Sequence, residues 1–241
     1  MSQLYISSIG VDISSNDVQT NPRVNEKIER ELKLELSKIG VKSALTNITG
    51  DDIVITSLVP DKLVEETNKK IFQMLKKHAE SFDDLEGVSK NPETAGEGVS
   101  YAIAEAGSEY GDSIIVSFDT YCGESIVNEM ALFVEEIGRK FGYDSSSSVS
   151  SKPVEIPGIG YSGTCTDDPV VVITIENIQN LPKLAGMIYG GLLGFDRVYF
   201  TRMSSPTNIV PPGVIYTMSA FLNGNVIDLY DGIIGRFNTI G

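Results

Sequence analysis

Gly50-Asp51-Asp52-Ile53-Val54-Ile55-Thr56 and Thr166-Asp167-Asp168-Pro169-Val170-Val171-Val172-Ile173-Thr174 are the two stretches on which the reading of this sequence turns. Each passes from an acidic pair straight into a run of β-branched residues, the pattern of a turn feeding a strand. Ahead of the first, Lys42 to Ile48 reads as a strand, so Thr49-Gly50-Asp51-Asp52 predicts a tight hairpin. Upstream of that, Leu4 to Ile13 reads as a strand. A helix follows, with Asn21 as N-cap, Pro22 at the first helical position, and Val24, Ile28, Leu32, Leu36 and Ile39 at helical spacing. Gly40 ends it. Asp61 to His78 predicts a second helix.

That order, β-α-β-β-α, is the plan of a ferredoxin-like or palm-like half. A short strand near Val88 and a helix from Pro92 to Ala106 are expected to complete it. The plan then restarts. Ser113 to Thr120 reads as a strand, and Glu124 to Phe141 as a helix with Ile126, Met130, Phe133, Val134, Ile137 and Phe141 on one face. Val154 to Ser162 and Val170 to Ile175 read as strands, Leu181 to Gly194 as a helix, and Arg197 to Met203, Val214 to Phe221 and Val226 to Leu229 as strands. Asp144 to Pro153 is rich in serine and reads as an exposed loop. The expected fold is therefore α/β (α+β): two tandem ferredoxin-like or palm-like βαββα units with mostly antiparallel sheets, at residues 1–111 and 112–241. The second unit carries a C-terminal strand extension.

The halves also match in their acids. Asp12 lies in the first strand of one unit and Asp119 in that of the other, and each unit adds its hairpin pair. A strand Asp beside a hairpin Asp can point into one small space. Carboxylates there repel unless a cation joins them, as when Mg²⁺ is held with substrate phosphates completing its shell. Asp is also a favoured turn residue, so either pair alone reads as a turn. Together, Asp12, Asp51 and Asp52 are candidate metal ligands, with Asp119, Asp167 and Asp168 serving a second or degenerate site.

Composition limits the alternatives. Of 241 residues, 41% are hydrophobic and 22% charged, ordinary values for a chain that buries a core. The net charge of −14 argues against a binder of duplex nucleic acid or of an anionic membrane. The longest apolar stretch, Leu181 to Phe195, is too short and too broken to span a bilayer. No export signal is expected at Met1 to Tyr5, and two cysteines without framework spacing fit a reducing compartment, so a cytoplasmic location is expected. There is no G-x-x-x-x-G-K loop, and no dinucleotide fingerprint follows a strand. Cys122 at a helix start and Cys165 before Asp168 offer a softer, zinc-like site, against the commoner role of buried free thiols. The sole histidine, His78, reads as a helix-end cap. Gly186, Gly190, Gly191 and Gly194 permit close helix approach, inside one domain or at the interface of a homo-oligomer.

Ile9-Gly10-Val11-Asp12, Thr20-Asn21-Pro22-Arg23 with Glu26, Gly50-Asp51-Asp52 and Asn91-Pro92-Glu93-Thr94-Ala95-Gly96-Glu97 together resemble the archaeal GTP cyclohydrolase III family. Those enzymes have tandem palm-like units related to nucleotidyl cyclases. The likeness covers about the first 110 residues. Ser14-Ser15-Asn16-Asp17 replaces the family's G-P-W segment, and the doubled glycine before the hairpin acid is reduced to Gly50. The resemblance implies a Mg²⁺-dependent hydrolase that opens the imidazole ring of a purine nucleotide, GTP, with release of pyrophosphate. Asn21 and Arg23 would bind that substrate. The rival expectation is a non-catalytic regulatory or accessory protein that binds a small molecule or partner chain through a ferredoxin-like sheet.

Overall fold

The computed structural model describes residues 3–15, 18–121, 124–164, 166–206 and 213–238. In chain order the elements are β1 (Leu4–Asp12), α1 (Pro22–Ser37), β2 (Lys42–Thr49), β3 (Asp52–Pro60), α2 (Val64–His78), α3 (Asp83–Gly87), β4 (Ser100–Glu105) and β5 (Ser113–Tyr121). They continue with α4 (Glu124–Lys140), β6 (Ser145–Ser147), β7 (Val154–Ile156), β8 (Gly160–Ser162), β9 (Val170–Thr174), α5 (Leu181–Leu192), β10 (Val198–Phe200), β11 (Gly213–Leu222), β12 (Asn225–Asp228) and α6 (Tyr230–Asn238).

The first sheet has the order β2-β3-β1-β4, with every pairing antiparallel. The second contains β11-β5-β9-β6, the same order with β6, β9 and β11 in the places of β2, β3 and β4. β10 and β12 extend it along the outer edge of β11, β10 as the one parallel neighbour. This is the ferredoxin-like plan twice over, in a mixed α+β chain with mostly antiparallel sheets.

Local sequence explains most of these elements. Asn21 caps α1 by accepting a hydrogen bond from the Arg23 N–H at 3.0 Å. Val24, Ile28, Leu32 and Leu36 bury one face of α1, and Gly40, at φ +76°, ends the turn beyond it. Gly50 and Asp51 form the loop between β2 and β3, and only Gly50 has positive φ, at +61°, as a II′-type hairpin requires.

Four layers result. α1 and α2 cover the outer face of the first sheet around Ile9, Val11, Ile53 and Ile55. α4 and α5 cover the second around Ile114, Val116, Val171 and Ile173. The inner faces meet in a third cluster that includes Ile6, Val54, Ala102, Ala104, Val170, Val172 and Phe221. The seam also carries a buried polar set. Asn47, beyond the bulge between Leu45 and Asn47, donates to Thr217 Oγ1 at 2.9 Å and accepts from Ser219 Oγ at 3.1 Å.

Several sequence expectations need correction. Residues 100–105 form strand β4, not the end of a helix: Ala102 and Ala104 are small because they face the opposite sheet. Around Val88 there is the short helix α3 and one isolated bridge from Ser89 to Tyr161. The serine-rich segment 144–153 is not simply an exposed loop. Ser145–Ser147 is β6, the counterpart of β2. Ser145 Oγ donates to the Glu135 carbonyl at 2.9 Å, Ser147 Oγ to the Glu135 carboxylate at 2.7 Å, and the Val170 N–H donates to Ser148 Oγ at 3.0 Å. Serine hydroxyls thus replace the apolar contacts that a strand pattern normally shows. On α4 the buried face is Val127, Met130, Ala131 and Val134, with Ile126 and Phe133 exposed, as is Phe141 just beyond its end.

Val154–Ile156 and Gly160–Ser162 pair as a hairpin inserted between β6 and β9. It crosses to the other unit, where Ile156 and Ile159 join the first core, and Asn68 on α2 donates to the Pro157 carbonyl at 3.2 Å. No described helix is long and apolar enough to cross a membrane.

Candidate metal centre

Strand register places the acids. Asp12 and Asp52 are direct partners in the β1–β3 ladder. In the second unit Ser117 pairs with Val170, and the Phe118 N–H donates to the Pro169 carbonyl at 3.1 Å. One step further along that register sets Asp119 opposite Asp168. Asp12 and Asp52 in the first unit and Asp119 and Asp168 in the second therefore occupy the same point of the same fold, although Asp168 ends a long connection and not a tight hairpin.

Packing of the two sheets brings the sets together. The Gly50 backbone lies against the Asp119 carboxylate so closely that a Cβ on residue 50 would stand 2.0 Å from Oδ2. Glycine is needed here for its positive φ and for this approach. Carboxylate oxygens of Asp51, Asp52 and Asp119 all lie within 4.8 Å of one another. The acids of the second unit thus do not form a separate site: Asp119 joins the hairpin pair of the first.

Asp52 and Asp168 are the buried members, at 5% and 4% exposure. Burial, then the charges of Asp168, Asp119, Asp51 and Asp12, push Asp52 well above the ordinary carboxylate range. Burial and then the Asp84 charge push Asp168 up, against the hydroxyl of Thr166, which donates to its Oδ1. Among the described residues, Asp168 Oδ2 has no hydrogen-bond partner. Ser100 Oγ donates to the Asp168 carbonyl at 3.0 Å and steadies the segment.

Sequence reasoning missed Asp84. It stands on α3, accepts a hydrogen bond from the Asp12 N–H at 2.9 Å, and packs against Gly98, where a Cβ would meet its Cα at 2.6 Å. Burial raises its pKa to about 6; the Asp12 N–H opposes that, and the charges of Asp167, Asp83 and Asp51 add to it. A signal existed. Asp51-Asp52, Asp83-Asp84 and Asp167-Asp168 are the three Asp-Asp pairs of the sequence, and all three come to one place. The Asn91–Gly98 segment backs α3, with the Gly96 N–H donating to the Gly87 carbonyl at 2.7 Å.

Such a cluster cannot remain fully charged and bare. Two carboxylates 4.8 Å apart repel by about 3 kcal/mol at an effective dielectric of about 20. Three such pairs rival the whole stability of a domain, roughly 5–15 kcal/mol. Either protons or a cation must neutralise the charge. The donor set is all carboxylate oxygen, which suits a hard ion such as Mg²⁺ or Mn²⁺.

A cavity of about 230 Å³ lies between α1, β2 and the turn after β10. Thr20, Asn25, Glu26, Glu29, Ile48 and Met203 line it. Ile48 sits just before the hairpin acids, and the loop that begins after Asp12 ends at Thr20. Asn25 donates to Thr20 Oγ1 at 2.7 Å. Asn21 and Arg23 do not line this cavity: Asn21 caps α1 and donates to Glu80 at 2.8 Å, and Arg23 is exposed. His78 is engaged with Glu31 at 2.6 Å. Cys122 and Cys165 lie outside the described residues.

Among known proteins, 66% identity over 229 residues links the chain to "Uncharacterized protein MJ1676" of Methanocaldococcus jannaschii, covering 95% of this chain and 96% of that one. A Methanothermobacter thermautotrophicus protein is 42% identical over 231 residues, covering 94% and 93%. A solved structure described as an anthrone oxidase-like protein is 7% identical, with a TM-score of 0.33, over 95% of this chain and 94% of that one. The family model described as "Uncharacterised conserved protein UCP005278" matches residues 5–237, and the chain belongs to that family.

Proposed function

We propose that the protein is a divalent-cation-dependent enzyme acting on a purine nucleotide, with Mg²⁺ held by Asp51, Asp52 and Asp119. The carrying observation is the convergence of these three carboxylates, from both units, within 4.8 Å. Bound there, the cation would polarise a phosphoryl oxygen and lower the pKa of a bound water. Asp12 and Asp84 border the same space. The neighbouring cavity supplies hydrogen-bond acceptors on Asn25, Glu26 and Glu29, matching the N–H groups of a purine base. Opening of the GTP imidazole ring with pyrophosphate release is the specific reaction implied by the sequence resemblance.

One observation favours a second reading: among the described residues no lysine or arginine lines the cavity to balance a triphosphate. On that reading the protein is a regulatory or accessory binder of a small molecule. Incubation of GTP with the protein and Mg²⁺ or Mn²⁺, followed by pyrophosphate and the purine absorbance spectrum, separates the two. Metal-dependent pyrophosphate release, lost in Asp119→Asn, supports the enzyme. Nucleotide-induced thermal stabilisation without turnover supports the binder.

A further inference from the structure

We propose that the cavity between α2 and the β7–β8 hairpin is an anion site, built by Lys69, Lys76 and Lys90 for a small phosphate-bearing ligand. It shares no residue with the acidic cluster and stands whether or not that cluster takes a cation.

Charge distribution supplies the first argument. The chain carries 33 Asp and Glu against 19 Lys and Arg. This second cavity, of about 260 Å³, is nevertheless lined by three lysines, and by no Asp or Glu among the described residues. A concave space lined by one sign of charge, with apolar walls, focuses the field and draws the opposite ion. The chain itself offers these lysines little compensation. Lys69 has one exposed pair, with Glu65 at 3.5 Å, and among the described residues neither Lys76 nor Lys90 forms an ion pair.

The second argument is that the three side chains are placed by the fold. α2 supplies Lys69 and Lys76, the segment after α3 supplies Lys90, and Gly158 and Ile159 form the tip of the hairpin from the other unit. Ser89 and Tyr161 exchange backbone hydrogen bonds at 2.7 and 3.0 Å, which fixes that segment to the hairpin. Lys90 donates to the Ile159 carbonyl. Lys76 lies over the Phe72 ring, 4.7 Å from its centroid. The Lys69 stem packs on the hairpin tip, where a Cβ on Gly158 would stand 3.0 Å from its Cε. Ordering a lysine side chain costs about 1.5–2 kcal/mol, so exposed lysines ordinarily spread into water. Here contacts on three walls hold all three around one space.

Phosphate fits that arrangement. It carries about −1.5 to −2 charges at neutral pH and three acceptor oxygens, and lysine binds it as a point charge from any direction. A carboxylate brings one charge and leaves the other ammonium groups unbalanced. The cavity falls below the roughly 300 Å³ at which pockets for larger ligands begin, so it takes a phosphate with few further atoms and not a whole nucleotide. A bound anion would tie the hairpin of the second unit to α2 of the first.

Calorimetric titration of the full chain with inorganic phosphate and with glycerol 3-phosphate tests this, in chelator so that no metal bridges the anion to the carboxylates. One anion per chain should bind. Lys76→Ala and Lys90→Ala should each weaken it about tenfold, the loss of one charge-assisted contact. Lys183→Ala removes the same charge from α5 and should leave binding unchanged. Equal affinity for the two probes assigns the free anion, and tighter binding of the ester assigns a phosphorylated small molecule. A parent that shows no saturable binding, or an equal loss in Lys183→Ala, overturns the site.

Discussion

The two units share a plan but connect their second and third strands very differently. In the first, β2 reaches β3 through Gly50 and Asp51 alone. In the second, the chain between β6 and β9 makes a long excursion that includes the β7–β8 hairpin. The tight turn aims acids at the seam. The long connection buries Ile156 and Ile159 in the core of the other unit, and Gly158 sits on the Glu65 carbonyl of α2. The two units carry the same acidic corner, one on a turn and the other at the end of a strap. The units are thereby interlocked, and the division of the sequence near residue 111 does not divide the cores.

The largest effect is expected at that strap. Ile156 belongs to the second unit in sequence and is fully buried in the first core. Ile156→Ala should cost about 3–4 kcal/mol, and hydrogen exchange should accelerate in α2 rather than in α4 or α5. Equal acceleration in α4 and α5 would mean the two cores open as one body, and the contrast drawn here would fail.

Next is the pH dependence of the acidic corner. Asp84 has a folded pKa of about 6 against an ordinary value of 3.8, because burial disfavours its charge. A carboxyl raised on folding contributes stability below the unfolded value, and this is lost as pH rises through the folded one. The metal-free protein should lose about 2 kcal/mol between pH 4 and 7 from Asp84 alone, with Asp52 and Asp168 shifted in the same direction. Divalent cation should flatten the curve. Denaturant melts with chelator and with Mg²⁺ across this range give the check; a rise in metal-free stability with pH would exclude the buried repulsion.

The same corner shows what sequence could and could not reveal. The hairpin at Thr49-Gly50-Asp51-Asp52 was legible because its turn chemistry is local, and the ladder then set Asp12 against Asp52. β4 was not, because Ala102 and Ala104 owe their size to a facing sheet far away in sequence. β6 was hidden because its serines are satisfied by Glu135. Asp84 was hidden for a related reason: a five-residue helix has no periodicity to announce it, and only tertiary packing carries it to Asp12.

A smaller effect sharpens the site. Asp52→Asn removes one buried like charge, so the metal-free variant should be about 1–2 kcal/mol more stable than the parent at neutral pH. With Mg²⁺ the order should reverse, since the variant lacks a ligand. An unchanged order in both conditions would leave Asp52 as a turn residue only.

The smallest effect concerns Asn21, which the sequence resemblance offers to a substrate. Its carbonyl oxygen accepts from the Arg23 N–H, its amide donates to Glu80, and it is absent from the lining of the cavity. A residue so occupied is a helix cap, and Asn21→Ala should cost about 1 kcal/mol of stability. Binding of Mn²⁺ should not change, because the acids are carried by β1, the β2–β3 turn, β3, α3, β5 and the segment before β9, and none lies on α1. The comparison of the units gives the control. Asn177 makes the corresponding side-chain cap to the Gln179 N–H at 3.0 Å, on the 3-10 turn ahead of α5. Asn21→Ala and Asn177→Ala should therefore behave alike in thermal melts and in GTP-induced stabilisation. If Asn21→Ala alone weakens the response to GTP, Asn21 touches the nucleotide, and the ligand site extends from the cavity to the start of α1.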